Sequence, residues 1–219
     1  MTQLSFSLPS IPALGREDFL ESSSNAEALA WIERWPDWSA HGLVLAGPAG
    51  SGKTHLAHIF AARTKARVYQ GKDFSRAEVE ALEGLSVVIE DCQENLDETG
   101  LFHLLNLAKE SGGTVLFTAL NPQARWKIVL PDLRSRLLAL PLAELKPPDD
   151  ALLMAVLAKL FADRQVRVGA DALAYILGRI ERSFAAARDL VDRVDRQALA
   201  AKRPITVPLI REILEMRHE

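Results

Sequence analysis

The amino-acid sequence predicts an α/β fold in two parts: a five-stranded parallel sheet covered by helices, followed by a small all-α segment of four helices. Three observations lead there. Strand-length apolar runs, continuous rather than alternating, recur between helical stretches, as expected of strands buried on both faces. The first of these runs passes through a glycine-rich turn into a helix. After Lys146-Pro147-Pro148 only helical periodicity remains, so the prolines mark a boundary.

The elements follow in chain order. Ala26, Leu29, Ala30 and Ile32 in NAEALAWIERW suit a short amphipathic helix that ends before Pro36. Gly42 to Ala46 is the first strand, Arg67 to Tyr69 a second and short one, and Leu85 to Ile89 the third. Thr114 to Thr118 is the fourth strand, and the apolar stretch Leu137 to Leu142 is read as the fifth. The helices of the second part are predicted over Asp149 to Asp163, Asp171 to Ile180, Ser183 to Ala201 and Val207 to Met216, the last with Thr206 as its N-cap. No repeat and no low-complexity segment interrupts this order.

Composition sets the outer bounds. Of 219 residues 48% are hydrophobic and 25% charged, the balance of a globular protein with a substantial core. No run approaches the roughly 18 apolar residues of a membrane span, and MTQLSFSLPS lacks the basic and apolar regions of a secretory signal. A single cysteine, Cys92, excludes an internal disulfide framework or a multi-cysteine zinc site and points to a reducing cytoplasm. The net charge of −3 argues against broad nucleic-acid binding, so direct DNA binding is expected to be slight at most. The charge is uneven, with 14 Lys and Arg against 20 Asp and Glu up to residue 150, and 12 against 9 beyond it. The tryptophans Trp31, Trp35, Trp38 and Trp126 are read as packing residues or interface edges, and His58 and His103 have no partner at metal-ligand spacing.

GPAGSGKT, from Gly47 to Thr54, matches G-x-x-x-x-G-K-[ST] at every specified position, with a strand before it and the helical run THLAHIFAAR after it. Pro48, Ala49, Gly50, Ser51 and Gly52 form a turn whose successive N–H groups can converge on phosphate oxygens, and the helix adds its positive end. Lys53 is placed to neutralise β- and γ-phosphates, and the Thr54 hydroxyl to ligate Mg²⁺. His55 follows, where it can cap the helix start or face phosphate. The expected ligand is ATP or ADP with Mg²⁺. Val87-Val88-Ile89-Glu90-Asp91 ends a buried strand on two carboxylates; in P-loop nucleoside triphosphatases such a strand, expected beside the loop, brings one acid to the metal and a second to water. Glu90 is the metal-side candidate and Asp91 the candidate base. Cys92 next to them is read as a small packing residue.

GPAGSGKTHLAH, VVIEDCQE, VLFTALNPQARW and LPDLRSRLLALPLAELKPPDD, in this order and spacing, together with the tail RDLVDRVDRQALAAKRPITVPLIREIL, resemble the DnaA/Hda branch of the AAA+ ATPases over most of residues 15–219. The resemblance implies an AAA+ nucleotide-binding domain over 15–146, a helical lid over 147–219 and an extended N-terminal segment over 1–14. It also implies roles for single residues. Arg136 falls on the arginine-finger position, acting in trans on a neighbour's ATP, with Arg134 the lesser candidate. Arg188 falls on the sensor 2 position, from which a lid arginine reaches the nucleotide. Leu120 stands where the family commonly has a polar residue, leaving Thr118 and Asn121 as the flanking groups that could position water, and the departure predicts weak ATPase activity at most.

Two features point to the Hda side of this family, which regulates initiation, rather than to the initiators. The sequence ends at Glu219, leaving no room for a helix-turn-helix domain after the lid. Gln3-Leu4-Ser5-Phe6-Ser7-Leu8 is similar to the glutamine-plus-apolar peptide that docks on the replicative sliding clamp. In an extended segment Leu4, Phe6 and Leu8 share one face, and Gln3 supplies an oriented hydrogen bond. The resemblance thus implies a cytoplasmic, nucleoid-associated bacterial regulator whose partners are DnaA and the DNA polymerase III sliding clamp (β subunit), with homodimerisation left open. The alternatives are a self-contained homo-oligomeric DnaA-like ATPase and a DNA-replication loading factor.

Overall fold

The computed structural model describes residues 15–93, 95–201 and 203–215; the peptide Gln3 to Leu8 lies outside them. Five parallel strands, β1 (Gly42–Ala46), β2 (Arg67–Gln70), β3 (Ser86–Glu90), β4 (Thr114–Ala119) and β5 (Leu142–Glu144), form one sheet in the order β2-β3-β4-β1-β5. Every residue of β1 and of β4 is buried, which is why these central strands read as unbroken apolar runs. β2 lies at the sheet edge with its Val68 exposed, and its sequence carries a correspondingly faint signal.

Two helical layers cover the sheet. On one face α1 (Ala26–Glu33) and α2 (Lys53–Thr64) pack Leu29, Ile32, Leu56 and Phe60 against Leu43, Leu45, Val88 and Leu116. On the other, α3 (Glu98–Ser111) and α4 (Pro131–Leu138) pack Leu101, Leu104, Leu133 and Leu137 against Val44, Val87, Ile89, Val115 and Phe117. Alternate residues of each strand thus serve opposite layers. The α3 sequence specifies both its ends. Asp97 accepts a hydrogen bond from the Gly100 N–H, and Gly112 leaves the helix at φ +76°. Trp38 stacks on Phe60, with its indole N–H donated to the Trp31 carbonyl, and Trp126 closes on Phe117 from the other layer.

The fifth strand is shorter than expected. Leu137 and Leu138 belong to the last turn of α4, and only Leu142–Glu144 pair with β1. The apolar run misleads because Leu133 and Leu137, four apart, make one buried helical stripe, with Pro131 at the first helical position; the chain then turns through Leu140 into the strand.

Beyond β5, α5 (Asp150–Asp163), α6 (Ala170–Leu177), α7 (Phe184–Ala201) and α8 (Val207–Glu215) enclose a core of their own, with Leu153, Leu157, Phe161, Ile176, Val191 and Ile210 at its centre. Asp149 caps α5 through the Leu152 N–H and also accepts from the Ser23 hydroxyl. Lys159 pairs with Asp18, and the Lys146 N–H is donated to the Ser24 carbonyl. No helix among the described residues is long and apolar enough to cross a membrane.

Candidate functional site

The loop Gly47 to Gly52 leaves the carboxyl end of β1 and enters α2, the place where open α/β sheets gather ligands. Its turn needs two glycines in the left-handed region, Gly50 at φ +68° and Gly52 at φ +101°. At Gly50 space is short as well, because a Cβ there would stand 3.0 Å from the Ser183 Cβ and 3.2 Å from the Ala185 nitrogen. Gly52, the N-cap of α2, has no side chain to satisfy the first-turn N–H groups, which leaves the helix start uncapped by any side chain. Thr54 lies in that first turn and is exposed, whereas Ser51 is buried with a hydroxyl oxygen that has no partner.

Lys53 is 7% exposed and donates from Nζ to the carbonyls of Gly47 at 2.8 Å and Pro48 at 2.9 Å. Burial pushes its ammonium below the ordinary lysine range, and the carboxylates of Asp91 and Glu90 partly oppose that shift. The loop and the acidic strand end therefore share one electrostatic environment. They do so across a strand: β4 runs between β1 and β3, so the carboxylate strand is not beside the loop strand.

Glu90 and Asp91, neighbours in sequence, are treated oppositely. Glu90 closes β3 and is buried; Gln70 reaches its Oε2 at 3.3 Å, but its Oε1 has no partner. Asp91 turns into the left-handed region at φ +55° with an exposed side chain, and its N–H is donated to the Thr118 hydroxyl at 3.1 Å. Thr118 thus orients the backbone of Asp91 from the end of β4, while Leu120 and Asn121 are exposed past it. The Asn121 carbonyl accepts from the Trp126 indole. Cys92 is buried, which pushes its thiol pKa well up and fits a packing role.

His55 does not cap α2. The helix has no side-chain cap; the His55 ring reaches the Gly15 carbonyl at 2.9 Å through Nε2, which must therefore carry the proton, and meets Phe19 edge to face. Burial lowers its pKa, the Gly15 carbonyl and Asp18 oppose this, and the positive charges of Arg188 and Lys159 add to the lowering. Arg188 is exposed on α7, one helical turn beyond Phe184. The start of α7 touches the loop directly, with the Phe184 N–H donated to the Gly50 carbonyl at 3.0 Å.

Arg136 is held elsewhere. Its helix α4 packs on the sheet face opposite α2, and its guanidinium lies 5.2 Å from the centre of the Phe102 ring. Among the described residues it has no salt-bridge partner, and Arg134 is exposed nearby on the same helix.

The residues present fit a nucleotide with a divalent ion. The start of α2 has no side-chain cap, Ser51 Oγ and Glu90 Oε1 are buried without partners, and Lys53 is buried among backbone carbonyls that phosphate could replace. No group of three or more His, Cys, Asp or Glu able to hold a metal occurs among the described residues.

The chain is similar to known proteins in its fold and in its C-terminal helices. The family model "Hda, lid domain" matches residues 150–214. A Haemophilus influenzae protein of uncharacterised role is 29% identical over 184 residues, which is 78% of this chain and 80% of that one. Domain III of the Thermotoga maritima replication initiation protein DnaA superposes with a TM-score of 0.79 at 16% identity, covering 93% of this chain and 96% of that domain. The Thermotoga maritima RuvB Holliday junction branch migration motor gives 0.73 at 20% identity, covering 92% of this chain and 71% of that one. A replication initiator DnaA bound to AMPPCP and single-stranded DNA gives 0.69 at 16% identity, covering 87% of this chain and 68% of that one. These likenesses establish the AAA+ fold, its five-stranded parallel sheet and its helical lid.

Proposed function

We propose that this chain, an Hda/DnaA-like AAA+ protein by its lid and its fold, binds an adenine nucleotide and restrains replication initiation by stimulating hydrolysis of ATP held on DnaA. The observation that carries the proposal is the division of labour across the sheet. The loop, Lys53 and Glu90 gather where the α2 layer meets the lid, whereas Arg136 lies on the opposite layer without an acidic partner among the described residues. An arginine so placed is turned away from its own chain's phosphate site and suits a neighbour's, where a guanidinium stabilises charge developing on the γ-phosphate.

In its own site, the amides of Gly50, Ser51 and Gly52 and the first turn of α2 would hold phosphate, with Pro48 and Ala49 shaping the loop. Lys53 would exchange its two carbonyl partners for phosphate oxygens. Thr54 and Glu90 would hold Mg²⁺, which supplies charge neutralisation when bound, and Asp91 would orient water with Asn121 beside it. Arg188, and His55 through its packing at the loop helix, would couple ADP or ATP to the lid. Gln3, Leu4, Phe6 and Leu8 would dock the chain on the sliding clamp.

The test uses DnaA loaded with radiolabelled ATP, clamp on DNA and the purified chain, scoring ATP converted to ADP. Acceleration by the wild type, lost in Arg136→Ala and in a form lacking residues 1–8, is the expected result. No acceleration, with ATP turnover by the chain alone, would instead identify a self-contained oligomeric ATPase.

A further inference from the structure

The helix that carries Arg136 cannot cap its own beginning. Its N-cap is Leu130, which has no side-chain acceptor, and Pro131 follows at the first helical position. The chain entering it is held instead from another helix. The carboxylate of Glu98, in the first turn of α3, accepts from the Val129 N–H at 2.9 and 3.1 Å and from the Leu130 N–H at 2.6 Å. One turn further along the same face of α3, Phe102 lies beneath the Arg136 guanidinium at 5.2 Å.

We infer that Glu98 is a positioning residue for Arg136: it fixes the start of the arginine's helix on α3, at the register that sets the guanidinium over Phe102. The chemistry favours a carboxylate here. Negative charge at a helix start is stabilised by the helix dipole, and charge-assisted bonds to successive amides fix position more tightly than a neutral acceptor does. Asp97, one residue earlier, faces the other way; it accepts from the Gly100 and Arg76 N–H groups, which hold its carboxyl below the usual range. Adjacent acids thus divide the work, Asp97 capping α3 itself and Glu98 tethering the chain that enters α4. The anchored segment leaves Val129 87% exposed beside the arginine's helix, a conformation its own apolar contacts do not explain.

This inference rests on the reading of Arg136 as a finger acting on DnaA, and the test separates the two. Glu98→Gln and Glu98→Asp are compared with the wild type and Arg136→Ala in the full chain. The readouts are the maximal stimulated rate, the concentration giving half of it, nucleotide affinity, melting temperature and amide exchange at Val129 and Leu130. In Glu98→Gln exchange at those two amides should rise and the maximal rate fall, each by about 10-fold, with the half-maximal concentration, nucleotide affinity and melting temperature held. Glu98→Asp, which keeps the charge with a shorter reach, should lie between. Loss of stimulation in Arg136→Ala with a wild-type rate in Glu98→Gln would overturn the positioning role alone. Unchanged exchange in Glu98→Gln would overturn the anchoring itself. Full stimulation by Arg136→Ala would overturn the finger reading and the positioning role with it, whatever the exchange shows.

Discussion

Lys53 and Arg136 are both single cations on which function is proposed to turn, yet the molecule holds them in contrasting ways. Lys53 is buried and fastened to two backbone carbonyls of its own loop. Arg136 is half-buried on an aromatic face, with its N–H edge free of carboxylates among the described residues. A lysine that serves a ligand of its own chain can be kept in reserve by weak neutral acceptors, which a phosphate outcompetes. An arginine meant for another molecule has to stay unpaired, because a carboxylate partner would cost more to displace than a ring. On the proposed function, the difference would separate a cation held for its own chain from one held out to a partner.

The largest effect that would break this contrast comes from exchanging the consequences of losing each cation. Lys53→Ala should weaken ADP binding by about 100-fold, the worth of a charge-assisted phosphate contact in a buried site, whereas Arg136→Ala should leave it within about 2-fold. Titration calorimetry on the two variants decides it, and equal losses would remove the distinction. A smaller effect is expected at Gly50, where the loop meets the lid. Gly50→Ala puts a Cβ at a positive φ and against Ser183 and Ala185, so stability should fall by about 1–2 kcal/mol, seen as a lower melting temperature. A wild-type melting curve would show that the loop and α7 separate freely.

The smallest effect is a pH dependence. Folding lowers the His55 pKa, mainly through burial, with Arg188 and Lys159 adding to the shift and Gly15 and Asp18 opposing it. The unfolded chain therefore takes up the proton first as pH falls through about 6.5. Stability attached to His55 is full above that pH and is lost below it. Melting curves between about pH 7.5 and 5.5 should show the decline, and His55→Gln should flatten it. A decline of the same slope in the variant would assign it to other groups.

The glycine loop and the acidic strand end were legible in the sequence because backbone chemistry dictates them: left-handed turns require Gly50 and Gly52, and a buried β3 has one place for acids, its end. The central strands were legible because both faces are covered. α4 was not, since LRSRLLALPL satisfies a strand's composition and a helix's spacing at once, and only the burial of Leu133 with Leu137 decides between them. The order of the strands was not legible either; β4 between β1 and β3 is a matter of crossover connections, which leave no local mark. Glu98 reads in sequence as an ordinary acid in a first turn, and its hold on another helix exists only in three dimensions. Arg136 and Arg188 were placed by resemblance, because a single arginine on a helix carries no signal of its own.

The contact between Gly50 and Phe184 has a mechanical consequence. α7 has 18 residues and is therefore about 27 Å long, so its first residue is a fulcrum and its last the tip of a lever. A tilt of about 10° at the loop would carry the far end through about 5 Å, which is roughly one helical turn. On the proposed reading of the loop as a nucleotide site, a small adjustment there would be magnified into a larger displacement at the far end of α7.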